Sequence, residues 1–232
     1  MIMENFADFC AVLRESGFSL GGATGAKGIY SAVPFGWEEQ AIADCPIRWF
    51  TGDPETDPWQ WRMRVLDECD DIAYAKLFFR ASGYITRQYY PYFYAVRREG
   101  ESFREAYADG TLTQSEKRIY ELLERGEYAY HELKALGGFR REDRGAFERA
   151  IVDLQMRMFI TASGFTQKMN KYGEGYGWDI TVFARVEDFW AGRGFILPEP
   201  DPDESFEILH DRILQLNPNA QEKTIRRFIC GK

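Results

Sequence analysis

The chain has 232 residues, 45% of them hydrophobic, enough to build one large domain or two to three small ones. Its formal net charge is −8, which excludes a general nucleic-acid coat protein, because affinity for phosphate comes from Lys and Arg. Four cysteines without a Cys-x-x-Cys pair, beside two histidines, exclude a structural zinc site by spacing. No run approaches the ~20 apolar residues needed to cross a bilayer, and the opening residues do not read as a signal peptide, so the expectation is a cytoplasmic protein with reduced thiols, without metal, cofactor or membrane partner.

Residues 1–108 read as an aromatic-rich N-terminal domain. Phe6, Phe9, Cys10 and Leu13 repeat at helical spacing up to Gly17, which predicts an opening helix. Gly21–Pro34 reads as loop. Its run Gly21-Gly22-Ala23-Thr24-Gly25-Ala26-Lys27-Gly28 lacks the Gly-Lys-Ser/Thr order of a phosphate loop. Ile47–Phe50 suggests a strand and Thr51–Pro58 a turn-rich connection. Trp59–Cys69 suggests a helix. Tyr74–Phe79 and Tyr84–Ile85 suggest strands around a turn at Ser82-Gly83, and Tyr89–Arg98 a helix with Pro91 near its start.

Two features of this region bear on chemistry. Trp59, Trp61 and Arg62 interleave aromatic faces with a guanidinium, a combination that can contact an extruded base. The more ordinary reading of the same residues is core with snorkelling arginines. The run Asp67-Glu68-Cys69-Asp70-Asp71 points its side chains in different directions on a helix, so it reads as a solvated helix end. Acids on both sides are expected to raise the Cys69 thiol pKa and make it a poor nucleophile.

The polar stretch 99–112, with Gly100 and Gly110, marks a boundary, and residues 109–190 read as a winged helix-turn-helix. Three helical patterns follow one another at Thr113–Gly126, Tyr128–Gly138 and Arg140–Met158. The first opens with Thr113 and Glu116, the spacing of a capping box. The third carries the stripe Phe147, Ala150, Ile151, Leu154 and Met158. Phe159–Ser163 and the alternating run Trp178–Val186 suggest two strands, with Gly164–Gly177 between them as a mobile wing. From Arg140 to Lys171 there are seven Lys or Arg against four Asp or Glu, a basic stretch within an acidic chain. In a helix-turn-helix the second helix of the motif presents its N-terminal residues to base edges. Those residues would be Arg140, Arg141 and Arg144, with Lys168 and Lys171 of the wing on phosphates.

Residues 191–232 read as a linker, with PEPDP at 198–202, and a C-terminal helical segment. Phe206, Leu209, Ile213 and Leu216 form one helical stripe. Asn217-Pro218-Asn219 breaks it, and Ile225 and Phe228 mark a last helix.

The runs DPWQWRMRVLDECDDIAYAKLFFRASGYITRQYYPYFYAVRR, TQSEKRIYELLE and SGFTQKMNKYGEGYGWDITVF, within residues 40 to 190, resemble bacterial AlkZ-related proteins, distant relatives of the AlkZ-type winged-helix DNA glycosylases. The resemblance implies an α+β protein of tandem winged-helix modules with a concave DNA-binding surface. It also implies a Gln-x-Gln or Gln-x-Asp catalytic motif in the true enzymes, and every glutamine here lacks Gln or Asp two positions on. DNA binding related to repair, without standard glycosylase catalysis, is the leading expectation. The alternatives are a winged-helix scaffold for a protein partner, or a glycosylase using an unorthodox carboxylate among Glu38, Glu39, Asp53 and Asp57.

Overall fold

In the computed structural model of this chain, which describes residues 3–22, 28–33, 35–37, 45–169, 172 and 175–231, the first helix α1 (Phe6–Ser16) forms where the apolar spacing puts it. Asn5 caps it by accepting from the Asp8 backbone N–H, and Gly17 ends it at φ 89°. Glycine is required at that position for space as well, since a Cβ on Gly17 would lie 2.3 Å from the Tyr89 ring. Strand β1 (Phe18–Leu20) follows, then helix α2 (Pro58–Glu68), strands β2 (Ile72–Phe78) and β3 (Ala81–Thr86), and helix α3 (Tyr90–Arg98). The three strands are antiparallel in the order β1-β3-β2.

The hairpin between β2 and β3 turns at Phe79 and Arg80, both at positive φ (52° and 63°), rather than at Ser82-Gly83. Gly83 lies inside β3 because a neighbour needs the room: a Cβ there would sit 2.4 Å from the Phe78 ring and 2.9 Å from the Ser19 carbonyl. Ile47–Phe50, expected as a strand, is irregular. Ile47 is buried in the core, but the chain turns at Trp49 and Phe50.

The chain divides into two compact units, Met1–Glu99 with Pro198–Lys232, and Gly100–Leu197. The second begins with helix α4 (Phe103–Ala108), in a stretch whose polarity suggested only a connection. A capping box between Ser102 and Glu105 starts it, and Phe103 and Ala106 bury its inner face. Helix α5 (Gln114–Leu123) carries the capping box expected at Thr113 and Glu116. Then come strand β4 (Tyr128–Ala129), helices α6 (Tyr130–Leu136) and α7 (Arg144–Met156), strands β5 (Ile160–Met169) and β6 (Gly175–Arg185), and helix α8 (Val186–Gly192). The strands are antiparallel in the order β5-β6-β4. The core joins α4, α5, α6, α7 and the strand pair through Phe103, Ile119, Leu133, Phe147, Leu154 and Phe159. Phe103 and Tyr120 stack at 3.9 Å with an interplanar angle of 3°. Each such buried side chain contributes about 1.5–3 kcal/mol relative to exposure.

Helices α9 (Pro202–Leu216) and α10 (Glu222–Cys230) belong to the first unit, where both pack on α3. Phe228 of α10 stacks on Phe78 at 3.9 Å, and Phe18 and Phe93 close on it edge-on or tilted. A second core joins α1 to α2 and the strands, with Phe9 stacked 4.7 Å from Trp61 and edge-on to Tyr84. Among the described residues no helix is long and apolar enough to cross a membrane.

Two outcomes follow from this packing. Gly83→Ala should destabilise the first unit by about 1–3 kcal/mol through overpacking, whereas Gly164→Ala, whose Cβ would meet nothing within 4 Å, should leave the denaturation midpoint nearly unchanged. His210 of α9 lies 2.8 Å from a Glu222 carboxylate oxygen of α10, and that hydrogen bond raises its pKa above 6.5. The contribution is therefore complete below pH 6.5 and lost as pH rises through the folded-state pKa. With both groups near the surface it should amount to only a few tenths of a kcal/mol. Comparing the Tm of the protein and its His210→Gln variant between pH 5.5 and 8.5 checks it: the gap should narrow toward high pH.

Candidate nucleic-acid interface

The start of α7 is held from behind. Arg118 of α5 donates to the Gly137 carbonyl in the turn between α6 and α7, and its guanidinium lies 4.1 Å over the Phe139 ring. That turn needs both of its glycines. A Cβ on Gly137 would lie 2.6 Å from the Phe139 ring, and Gly138 has φ +65°. The chain then presents Arg140, Arg141 and Arg144 to solvent. The Arg140 backbone N–H donates to Asp143 Oδ2 at 2.9 Å, which fixes the entry to α7. Arg144 is the first residue of the helix and donates to Glu148 Oε1 at 2.7 Å, an ion pair that raises its already high pKa.

No acidic residue occupies the first turn of α7. Cations at a helix N-terminus oppose the macrodipole and cost about 0.3–1 kcal/mol each. Here the positive helix end and three guanidinium groups share one place on the surface. Glu142, Asp143 and Glu148 limit the excess.

The mobile wing expected over Gly164–Gly177 is mostly strand. β5 runs to Met169 and β6 starts at Gly175, with Lys168 opposite Tyr176 in the register. Side chains here are half-buried or exposed on both faces, so the alternation that marks a strand in sequence is missing. Lys168 is exposed, and Lys171 lies outside the described residues. The hairpin also exposes three aromatic side chains, Tyr172 at 75%, Tyr176 at 51% and Trp178 at 78%. Trp178 shares the alternating positions of Ile180, Val182 and Ala184 but is exposed, at i, i+2 from Tyr176.

The Trp59, Trp61 and Arg62 group is split. Trp61 is fully buried, stacked on Phe9, and its indole N–H donates to the Glu55 carbonyl. Arg62 is buried as well, with its guanidinium 3.7 Å over the Trp59 ring and its Nε donating to the Trp59 carbonyl. Trp59 is half-buried and its ring lies 5.1 Å from that of Phe50. Phe50 is exposed at φ 61°, a left-handed conformation costly for a bulky residue. Asp57, itself fully buried, imposes it by accepting from the backbone N–H groups of Phe50, Gly52 and Trp59 at 2.8–3.0 Å.

Asp57 is thus occupied as a loop organiser and N-cap of α2. Asp53 accepts from Thr56 and the Glu55 N–H at the surface, while Glu38 and Glu39 lie outside the described residues, as does the middle of the 21–28 glycine run. Two acids of the run at 67–71 are in ion pairs, Glu68 with Arg64 and Asp71 with Arg14. Cys69 departs from expectation. The Cys10 thiol hydrogen bond lowers its pKa against the effect of burial, and Arg14 adds to the lowering. Among the described residues no group of three or more His, Cys, Asp or Glu is arranged to hold a metal ion.

The AlkZ-related family model matches residues 3–230, so the chain belongs to the AlkZ-related family. No curated protein matches the sequence. Among solved structures, the chain is similar to the DNA glycosylase AlkZ of Streptomyces sahachiroi, at 13% identity and a TM-score of 0.41, over 75% of this chain and 50% of that one. The chain therefore spans about half the length of that protein.

The role of Asp57 makes a prediction. Asp57→Ala removes one acceptor from three backbone N–H groups and should cost about 2–4 kcal/mol of stability. Urea denaturation checks it; a midpoint equal to that of the unaltered protein would return Asp57 to the list of chemical candidates.

Proposed function

We propose that this member of the AlkZ-related family is a DNA-binding protein of the DNA-repair class, and that its second unit acts as a winged helix-turn-helix. The observation that carries this reading is the order α5-β4-α6-α7-β5-β6 with strands arranged β5-β6-β4, which leaves α7 as recognition helix and the β5–β6 hairpin as wing. In this reading Arg140, Arg141 and Arg144 meet DNA from the start of α7, and Lys168 and Lys171 of the hairpin meet phosphates. Trp59, with Arg62 stacked behind it, is the base-contacting group in the first unit, and Trp61 supports it from the core. The family is defined by relation to AlkZ, a DNA glycosylase by name, which supports a repair setting. Base excision by a Gln-x-Gln or Gln-x-Asp motif is not part of the reading, since the sequence has neither. Winged-helix character in the first unit, giving a tandem arrangement, belongs to the same proposal.

A second reading, a scaffold for a protein partner, is favoured by the net charge of −8 and by the exposed Tyr172, Tyr176 and Trp178. Fluorescence anisotropy with plain duplex, abasic-analogue duplex and single-stranded oligonucleotides, across a salt series, separates the two. The DNA reading expects affinity that falls steeply with salt. Arg141→Ala with Lys171→Ala should weaken it and reduce the log–log salt slope by about 2. Unchanged affinity in that double variant would show the assigned surface to be wrong, and absence of binding at low salt would leave the scaffold.

A further inference from the structure

Cys10 on the buried face of α1 and Cys69 at the C-cap of α2 are 59 positions apart in sequence, yet their sulfurs lie 3.7 Å apart. Both residues are buried, at 4% and 6% exposure. A disulfide needs the sulfurs at about 2.0 Å, so a closing movement of under about 2 Å, shared between two side-chain rotations, joins them. The pair does not sit in a purely apolar setting. Arg14 Nη2 lies 3.8 Å from Cys69 Sγ, and Asp71 holds that guanidinium in place through bonds of 2.8 and 3.0 Å. Arg14 and Asp71 are themselves partly solvent-exposed, at 49% and 28% of their side chains, so the polar side of the thiol pair borders water.

The two thiols differ as an attacking and a resolving cysteine should. Cys69 has the cation beside it and the lowered pKa, while the hydrogen bond to Cys69, followed by burial, pushes Cys10 well above the usual thiol range. Cys45 and Cys230 are free thiols, half-buried.

We propose that Cys10 and Cys69 are a redox site, converted to an intramolecular disulfide by hydroperoxides and restored by thiols. The Cys69 thiolate attacks one peroxide oxygen. The O–O bond breaks, the leaving alkoxide or hydroxide takes up a proton, and Cys69 becomes a sulfenic acid. The Cys10 sulfur then attacks Cys69 Sγ as its own proton leaves. The S–S bond forms, the S–O bond breaks, and the departing hydroxide and that proton make water. Two thiols are oxidised by two electrons and one hydroperoxide is reduced to an alcohol, or to water when hydrogen peroxide is the oxidant. The bond would tie α1 to the point where α2 gives way to β2. This site lies within the first unit and does not depend on the nucleic-acid reading.

The test uses the full chain carrying Cys45→Ser and Cys230→Ser, which leaves only the proposed pair. The protein is treated with hydrogen peroxide, freed of oxidant, denatured and titrated with a chromogenic thiol reagent. Two thiols before treatment and none after, with both returned by dithiothreitol, are expected. Peptide mapping of the oxidised unaltered protein should give the Cys10 peptide joined to the Cys69 peptide in a monomer. The oxidised form should melt roughly 5–10 °C higher, because a long loop is closed in the unfolded chain. Two remaining thiols, a sulfinic acid on Cys69 without a cross-link, or a disulfide joining two chains would overturn the proposal.

Discussion

The first unit depends on one guanidinium. Arg97 of α3 donates to the Leu77 carbonyl at the end of β2 and to the Phe228 and Ile229 carbonyls in the last turn of α10. Those last carbonyls of a helix have no intrahelical partner and carry the negative end of its dipole. Desolvation pushes the Arg97 pKa down to about 10, so the group remains charged at neutral pH. Desolvating it has a cost that the carbonyls offset, and two of the three belong to α10. The rings of Phe78 and Phe93 add cation–π contact at 5.4 and 5.5 Å, and the same rings pack Phe228. A segment more than a hundred positions away in sequence is thereby tied to the N-terminal fold, together with the packing of α9 and α10 on α3, and Pro198–Lys232 groups with Met1–Glu99.

What was legible in the sequence follows how local each cause is. The Thr113–Glu116 capping box and the stripe of Phe147, Ala150, Ile151 and Leu154 are written within one helical turn or two and appear as expected, whereas Met158, expected to end the stripe, lies beyond α7 at φ 57° and the helix starts at Arg144, not Arg140. Helix α4 carries the same signal at Ser102 and Glu105, but six residues give too little periodicity to outweigh two flanking glycines. Gly83 misleads because glycine looks alike whether it turns the chain or admits a ring from the neighbouring strand. Phe79 and Arg80 mislead in the opposite sense, since bulky residues rarely turn a hairpin at positive φ. Trp59 and Trp61 are two positions apart in one helix, and only the tertiary contact with Phe9 decides that Trp61 is core while Trp59 stays at the border.

Charge is where sequence neighbours and spatial neighbours differ most. Cys69 has acids on both sides in the chain, which argues for a raised thiol pKa. In the fold, Asp71 is neutralised by Arg14, and the same guanidinium reaches the sulfur. Glu68 turns the other way, onto Arg64. The lowering at the sulfur therefore comes first from Cys10, 59 positions away, and then from Arg14, 55 positions away, and a count of adjacent charges has no access to either.

An acidic chain that held DNA would face a similar local balance of charge. Exposed charges act over about 8 Å at physiological ionic strength, and the arginines at the start of α7 alternate with Glu142, Asp143 and Glu148. With a net charge of −8 there is no long-range attraction to draw a duplex in. In the proposed interface the guanidinium groups act only at contact, where they fix register. Beside these salt-dependent contacts, groups indifferent to net charge would contribute in the proposed interface. Tyr176 and Trp178, two positions apart on β6 and exposed at 51% and 78%, are such groups. Aromatic faces gain about 1–3 kcal/mol per stacked base, and bases are free to stack only where the duplex is opened, frayed or damaged. Under the proposed function, an acidic unit with aromatic rings exposed on its β5–β6 hairpin would suit distorted DNA better than an intact helix.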